Sequence, residues 1–446
     1  MSTINNSNID TIIKDNNINS SIDKDEELSD LQESVSILVY ECVVLNIKHY
    51  IQPNFHSIIV KDVFELLYIT FQYSNMNITK EYINEIIEER MKLFYKYISP
   101  ERSSGNTFVR IKPNIDKMKE KVKYLQDIPQ PEQRTTEWYE FRYKHLTASN
   151  IWKTFISESS RNQLIFEKCQ PLNTSKYSSS SSHISLDTPM HWGQKYEPLS
   201  VMLYEKIYNT KISDFGCIPH KIIEFLAASP DGINTDETSL RYGRMLEIKN
   251  IVNREITGLP KMEYWVQMQL QMEVCNLNEC DFLETRFIEY NDVSEFENDK
   301  TSEHKGLIML FMNGNGQPIY EYAPLNIISE EDMEKWQETI MEKYNDLTWI
   351  KNIYWKLDQL SCVLVLRNKL WFSSVLNELK ELWHIIEEEK ISGNYINRAP
   401  KKSTQLRIKK KHNENDNNIE MSSTCYIKLN DVLTSTEEKN NDTLSE

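Results

Sequence analysis

Apolar residues recur at three- and four-residue intervals from about Leu31 to Tyr97. They run Ile37, Val39, Val43, Val44 and Ile47, then Val63, Leu66, Leu67 and Ile69, then Ile83, Ile86, Ile87, Met91 and Phe94. That spacing puts an apolar stripe on each of several helices and predicts a helical N-terminal domain over 31–100, read as a scaffold or partner-binding appendage. Residues 1–30, rich in Asn, Ser, Ile and Asp without periodicity, read as a disordered leader. The stretch 101–133, with Ser103-Ser104-Gly105 and then Pro129 and Pro131, reads as a connector around one charged helix, roughly Asp116 to Leu125.

From 134 to 325 the pattern alternates. An amphipathic segment (Leu199, Met202, Leu203, Tyr204, Ile207) is followed by an apolar run, Phe225 to Ala228, and a strand-like run, Met245 to Ile251. Gly258-Leu259-Pro260 then signals entry into a helix over Tyr264 to Val274, with a strand from Cys280 to Tyr290 beyond it. Gly306–Met312 and Pro318–Tyr322 flank Asn313-Gly314-Asn315-Gly316 and predict a hairpin. Strands alternating with helices predict an α/β core over 134–325. Ser178 to Ser182 reads as a flexible surface loop within it. Ser329 to Lys390 returns to helical spacing with many Trp and Glu, so 326–395 is expected to be a helical C-terminal extension. The remainder, 396–446, is expected to be a disordered tail, first basic (Lys401, Lys402, Arg407, Lys409, Lys410, Lys411) and then acidic.

Composition supports a sizeable core, with 39% hydrophobic residues and 11% aromatics among 446. No apolar run approaches a membrane span, and the first residues lack the regions of a secretory signal, so an intracellular protein is expected. The seven cysteines (Cys42, Cys169, Cys217, Cys275, Cys280, Cys362, Cys425) form no C-x-x-C pair, which disfavours a zinc site, an iron–sulfur cluster or a disulfide framework. Cys275 and Cys280 read as reduced thiols near a helix end and a strand start. The net charge of −16 would argue against a polyanionic partner if it were evenly spread. Residues 1–35 hold two lysines and eight acids, and residues 411–446 three lysines and eight acids, so these ends carry −11. Residues 134–290 are close to balanced, with 17 Lys and Arg against 20 Asp and Glu, and nucleic acid is not excluded there.

Three acids and a lysine in that balanced part stand in a chemically meaningful order. Glu247 and Lys249 lie two apart on the predicted strand, so both leave one face while Ile248 points to the core. Asp231 follows Ala227-Ala228-Ser229-Pro230 and precedes Gly232, which permits a turn. Two carboxylates offer the hard oxygens a divalent cation takes, and an ammonium beside them can orient a water or offset phosphate charge. Glu197, just before Pro198, would sit in the first turn of its helix at the positive end. Gln267 and Gln271 share a helical face from which an amide can hold an attacking or metal-bound water. Taken singly, each has an ordinary reading. Glu197 is a helix-start charge, Asp231 part of a Pro-Asp-Gly turn, the Glu247–Lys249 pair a half-exposed strand, and the glutamines an amphipathic helix.

The order helix Glu, Asp-Gly, strand Glu-x-Lys, helix Gln, strand resembles the restriction-endonuclease-like PD-(D/E)XK superfamily, and within it the phage lambda exonuclease and YqaJ-type viral recombinase family. The family's W-G-x-x-Y-E matches Trp192, Gly193, Tyr196 and Glu197; S-P-D-G matches Ser229 to Gly232; L-E-[IL]-K matches Leu246 to Lys249. Its Y-x-x-Q-x-Q matches Tyr264, Gln267 and Gln269, and its W-x-x-x-R and [IL]-T-A-S opening matches Trp138 with Arg142 and Leu146 to Ser149. The likeness covers about Thr136 to Tyr290, roughly a third of the chain. It departs at Asn250-Ile251, where relatives often carry Cys-Pro, and in a longer Asp-to-Glu spacing. The Ser-rich insertion and the N-terminal domain have no assigned counterpart.

The resemblance implies a central mixed sheet flanked by helices. It implies that Asp231, Glu247 and the backbone carbonyl of Ile248 bind Mg²⁺, with Mn²⁺ a plausible substitute, and that Glu197 serves a second-metal or water position. Lys249 would position or activate the attacking water, with Gln267 supporting it. Arg142 and Ser149 resemble the family's 5′-phosphate pocket, although Arg142 could instead pair with Glu137 or Glu140. The expected activity is 5′→3′ exonucleolysis at duplex DNA ends, exposing a 3′ strand for recombination or repair. A single-strand annealing protein is the expected partner, in the host cytoplasm or nucleus if the source is viral, and both trimers and monomers occur among relatives. A structure-specific endonuclease of the same superfamily and a non-catalytic DNA- or partner-binding module are the alternative readings.

Overall fold

The apolar stripes of the N-terminal segment close on one another as helices α1 (Ile22–Leu45), α2 (Phe55–Tyr73) and α3 (Lys80–Tyr97). Val39, Val43, Val63, Ile83, Ile87 and Met91 lie buried among them. A computed structural model describes residues 22–73, 79–105, 114–172, 186, 188–327 and 329–400. Ser178–Ser182 and the basic run from Lys401 to Lys411 lie outside the described residues. Helix α1 begins at Ile22, inside the stretch expected to be a disordered leader, because the apolar stripe reaches back over Leu28, Leu31 and Val35.

The charged helix of the connector is α4 (Ile115–Asp127), capped by the Asn114 side chain. The order then runs α5 (Thr136–Tyr143), β1 (Leu146–Thr147), α6 (Glu158–Cys169), α7 (Pro189–Tyr208), β2 (Ile212–Ser213), β3 (Ile218–Pro219), β4 (Leu226–Ala228), β5 (Gly232–Asn234) and β6 (Met245–Asn250). It continues through α8 (Met262–Val274), β7 (Glu279–Glu289), α9 (Val293–Asn298), β8 (Lys305–Met312), β9 (Pro318–Tyr322), α10 (Glu330–Lys343), β10 (Thr348–Leu366) and α11 (Lys369–Ser392).

A seven-stranded mixed sheet has the order β2-β5-β6-β7-β10-β8-β9, and a small sheet has the order β1-β4-β3. In the large sheet β6 and β7 run parallel, with α8 as their crossover, and the other neighbours are antiparallel. The expected β8–β9 hairpin is present. Strand β10 corrects the expectation of an all-helical 326–395. Its 19 residues lie between β7 and β8, and its central part is rich in aromatic and β-branched residues (Ile353, Tyr354, Trp355, Val363, Val365) that suit a pleated surface. The Trp- and Glu-rich helices on either side, α10 and α11, hide that change of period.

The sheet is covered on both faces. Tyr204 of α7 packs against Leu246, Ile248 and Leu283, while Tyr196, Leu199 and Leu203 meet Phe287, Ile308 and Trp355. On the opposite face α8 is buried between the sheet and the outer helices. Its Trp265 meets Trp371 of α11 edge-on at 5.1 Å and stacks on Tyr50 at 5.8 Å. Truncating a buried Trp of this kind costs about 3–5 kcal/mol. Because side chains alternate along β6, Leu246 and Ile248 feed the α7 side, and Glu247 and Lys249 face α8.

Candidate active site

Strands β5 and β6 pair with Gly232 opposite Leu246, which brings Asp231 beside the Glu247–Lys249 segment. The Asp231 Oδ2 accepts the Ile248 N–H at 2.7 Å. Glycine at 232 is required by close approach rather than by a turn, since a Cβ there would lie 2.2 Å from Ile212 Cγ2 on β2. Glu247 is fully buried, accepts the Lys249 ammonium on one oxygen and accepts the Gln271 amide on the other at 2.7 Å. Burial opposes the charge on Lys249, but Glu247 and Asp231 outweigh it and hold the ammonium above the usual lysine range. Burial and then Glu247 push the Asp231 carboxyl well above the usual carboxylate range.

Helix α8 gives its glutamines different surroundings. Gln271, fully buried, is the one that reaches Glu247, and its amide also lies 3.4 Å from the Ser229 carbonyl. The Gln271 Oε1 is buried with no hydrogen-bond partner among the described residues. Gln267, expected to support the lysine, is half-buried one turn earlier. Gln269 points to the far end of the molecule, donating to the Leu366 carbonyl at 2.9 Å and accepting the Asn368 N–H at 2.6 Å.

Glu197 belongs to the middle of α7, not to its first turn. Thr188 caps this helix and Pro189 opens it, while Pro198 lies inside, where it offers no N–H to the preceding turn. The helix-terminal support expected for Glu197 is therefore absent. Asn250 anchors α7 to the sheet, donating to the Gly193 carbonyl at 2.9 Å and accepting the Ser200 and Thr285 hydroxyls, each at 2.7 Å. That network gives a physical role to a position that departs from the family pattern. Burial raises the Glu197 carboxyl, while Arg134, 2.9 Å away, and Lys249 oppose the rise. Glu197 and Asp231 share a cleft of about 570 Å³ whose other wall is the end of the connector, Gln130 to Arg134.

Arg142 and Ser149 come together as expected, the guanidinium donating to the Ser149 Oγ at 2.7 Å. The guanidinium also lies 4.2 Å from the Trp138 ring centroid. Strands β1 and β4 run parallel, Thr147 opposite Ala227, so Ser149 and Ser229 emerge at the same end of the small sheet. Trp138 Nε1 donates to Ser229 Oγ at 3.2 Å, tying this corner to the strand that leads into Asp231. Beneath it, buried Lys168 donates to the Arg142 and His145 carbonyls, both at 2.6 Å. Burial and then the Arg142 charge lower the Lys168 pKa to about 7.

The donor set suits a hard divalent cation: two neighbouring carboxylates and a third across the cleft, with the Gln271 Oε1 orphaned beside them. Among the described residues no three His, Cys, Asp or Glu side chains already converge as a metal cage. Each carboxylate instead holds a protein partner: Ile248 N–H, Lys249 with Gln271, and Arg134. Among the described residues Cys42, Cys169, Cys217, Cys275, Cys280 and Cys362 are buried free thiols.

Fold and site together define an α/β protein with an acid, acid-x-lysine centre where β5 and β6 of a mixed sheet meet. Residues 137–278, which hold that centre, match the YqaJ-like viral recombinase domain. An uncharacterized protein of Acanthamoeba polyphaga mimivirus is 28% identical over 306 residues, 59% of this chain and 54% of its own length. The chain thus spans about half the length of that curated relative. Among solved structures, the alkaline exonuclease of Laribacter hongkongensis (LHK-Exo) is 19% identical, with 59% of this chain and 98% of that chain covered at a TM-score of 0.35. LHK-Exo in complex with dAMP is 20% identical over the same shares, at a TM-score of 0.34. No helix among the described residues is long and apolar enough to cross a membrane.

Proposed function

We propose that this chain is a divalent-metal-dependent deoxyribonuclease acting exonucleolytically, 5′ to 3′, on the ends of duplex DNA. The observation that carries the reading is the joining of Asp231, just before β5, to the Glu247–Lys249 segment of β6, with Asp231 and Glu197 lining one cleft. Mg²⁺ or Mn²⁺ held by Asp231, Glu247, the Ile248 carbonyl and Glu197 would supply Lewis-acid stabilisation of phosphate charge and a more acidic water. The Glu247 and Asp231 carboxylates favour the charged form of Lys249, which supports a role as a donor that orients water and offsets charge on a phosphate oxygen. Gln271 fixes the Glu247 carboxylate from behind. The Arg142–Ser149 pair offers a guanidinium fork and a hydroxyl to a terminal 5′-phosphate, which favours ends over internal sites. The exposed 3′ strand would pass to a single-strand annealing protein in recombination or repair.

Three substrates test the mode of action with Mg²⁺: a 5′-phosphorylated linear duplex, the same duplex with 5′-hydroxyl ends, and a covalently closed circle. Degradation of the phosphorylated linear form first, with the circle intact, is expected. Cutting of the circle would assign the chain to the endonucleases of the superfamily.

A further inference from the structure

The cleft wall opposite Glu197 carries a residue that the motifs do not include. Arg134 has a backbone φ of +70°, in the left-handed region that ordinary side chains avoid. The other non-glycine residues there among those described are Asn209 and Asn276, of a type that tolerates it. The conformation of Arg134 is imposed by its neighbours. Gln130 accepts the Gly216 N–H at 2.8 Å, Pro131 accepts the Cys217 N–H at 3.2 Å, and Gln133 donates to the Phe215 and Pro230 carbonyls at 3.0 and 3.3 Å. Strain held in place this way beside a cleft points to use of the side chain. Its guanidinium reaches Glu197 Oε2 at 2.9 Å while 49% of the side chain stays exposed. Among the described residues lining the cleft, Glu132, Glu197, Asp214 and Asp231 are acidic and Arg134 is the cation.

We infer that Arg134 binds a substrate phosphate in this cleft, an inference that rests on the cleft being the nuclease centre. Until substrate enters, the guanidinium pairs with Glu197. A phosphodiester then takes over its two parallel donors, which frees Glu197 and offsets the repulsion an acidic cleft exerts on DNA. Arg134 stands just before Thr135, the N-cap of α5, whose far end carries Arg142, so this short stretch would present two guanidinium groups to two phosphates.

The test compares wild type with Arg134→Gly, Arg134→Lys and Lys249→Ala. It measures melting temperature, kcat/KM on a 5′-phosphorylated linear duplex with Mg²⁺, and duplex affinity against salt in the Lys249→Ala background. Glycine accepts the positive φ, so Arg134→Gly should melt at or above wild type yet lose about ten- to a hundred-fold in kcat/KM. Its log–log salt slope should fall by about 0.9, the loss of one phosphate contact. Arg134→Lys, which keeps the charge without the fork, should fall between. Arg134→Gly activity within about twofold of wild type, or an unchanged salt slope, would overturn the inference, as would a fall in melting temperature that accounts for the activity lost. Full activity in Lys249→Ala would instead overturn the nuclease reading, and the inference with it.

Discussion

Gln271 and Glu247 form the contact that most changes the picture at the scale of single residues. The sequence placed Gln267 and Gln271 on one helical face, and one turn of α8 decides which reaches the carboxylate. That distance depends on how deeply α8 sinks between sheet and outer helices, which local periodicity does not encode. Gln271→Leu should lose about 1–3 kcal/mol, because it leaves a buried carboxylate short of a donor, and should lower the digestion rate more than Gln267→Leu does. Urea unfolding and initial rates of the two variants check this, and the reverse order would return the role to Gln267. Lys168 offers a second residue-scale outcome. The folded chain releases its proton near pH 7, the unfolded chain only in the ordinary lysine range. Between those values the unfolded state binds more protons, so Lys168 adds stability as pH rises. The melting temperature of wild type should therefore climb relative to Lys168→Met between about pH 7 and pH 10, and parallel curves would contradict the assignment.

The elements that carry the site were largely legible in the sequence, since each has a pattern of its own. Alternation marks β6, and a Gly-Leu-Pro entry precedes α8. Two readings at this scale shift, one at a proline and one at the connector. Pro198 suggested a helix start, but Thr188 and Pro189 already supply one, and the helix continues through it. The end of the connector, 130–134, forms a wall of the cleft through contacts with residues more than eighty positions later, which no local signal announces. Gly216 shows how closely that strap is laid, since a Cβ there would fall 2.1 Å from the Pro131 carbonyl oxygen. Gly216→Ala should displace the strap, costing about 1–3 kcal/mol as overpacking does, and should cut activity together with stability. A variant that digests DNA at the wild-type rate with an unchanged melting temperature would show that the strap can shift freely.

At the scale of the whole molecule, the α/β class and the helical N-terminal layer followed from periodicity. The placement of β10 did not, because long-range pairing with β7 and β8 decides it and helical segments surround it in sequence. That strand gives the sheet its continuity from the carboxylates of β5 and β6 out to the β8–β9 hairpin. The outer helices and the sheet that carries the candidate site share one hydrophobic core through Trp265 and Trp371, so the layers flanking the site support it directly. What joins these scales is the claim that Asp231 and Lys249 act on a phosphodiester together. The most direct measurement is digestion of a 5′-phosphorylated linear duplex with Mg²⁺ by wild type, Asp231→Ala and Lys249→Ala, each first shown to be folded. The account predicts activity in wild type and a loss of at least about a hundredfold in both variants. Equal activity in all three would contradict it.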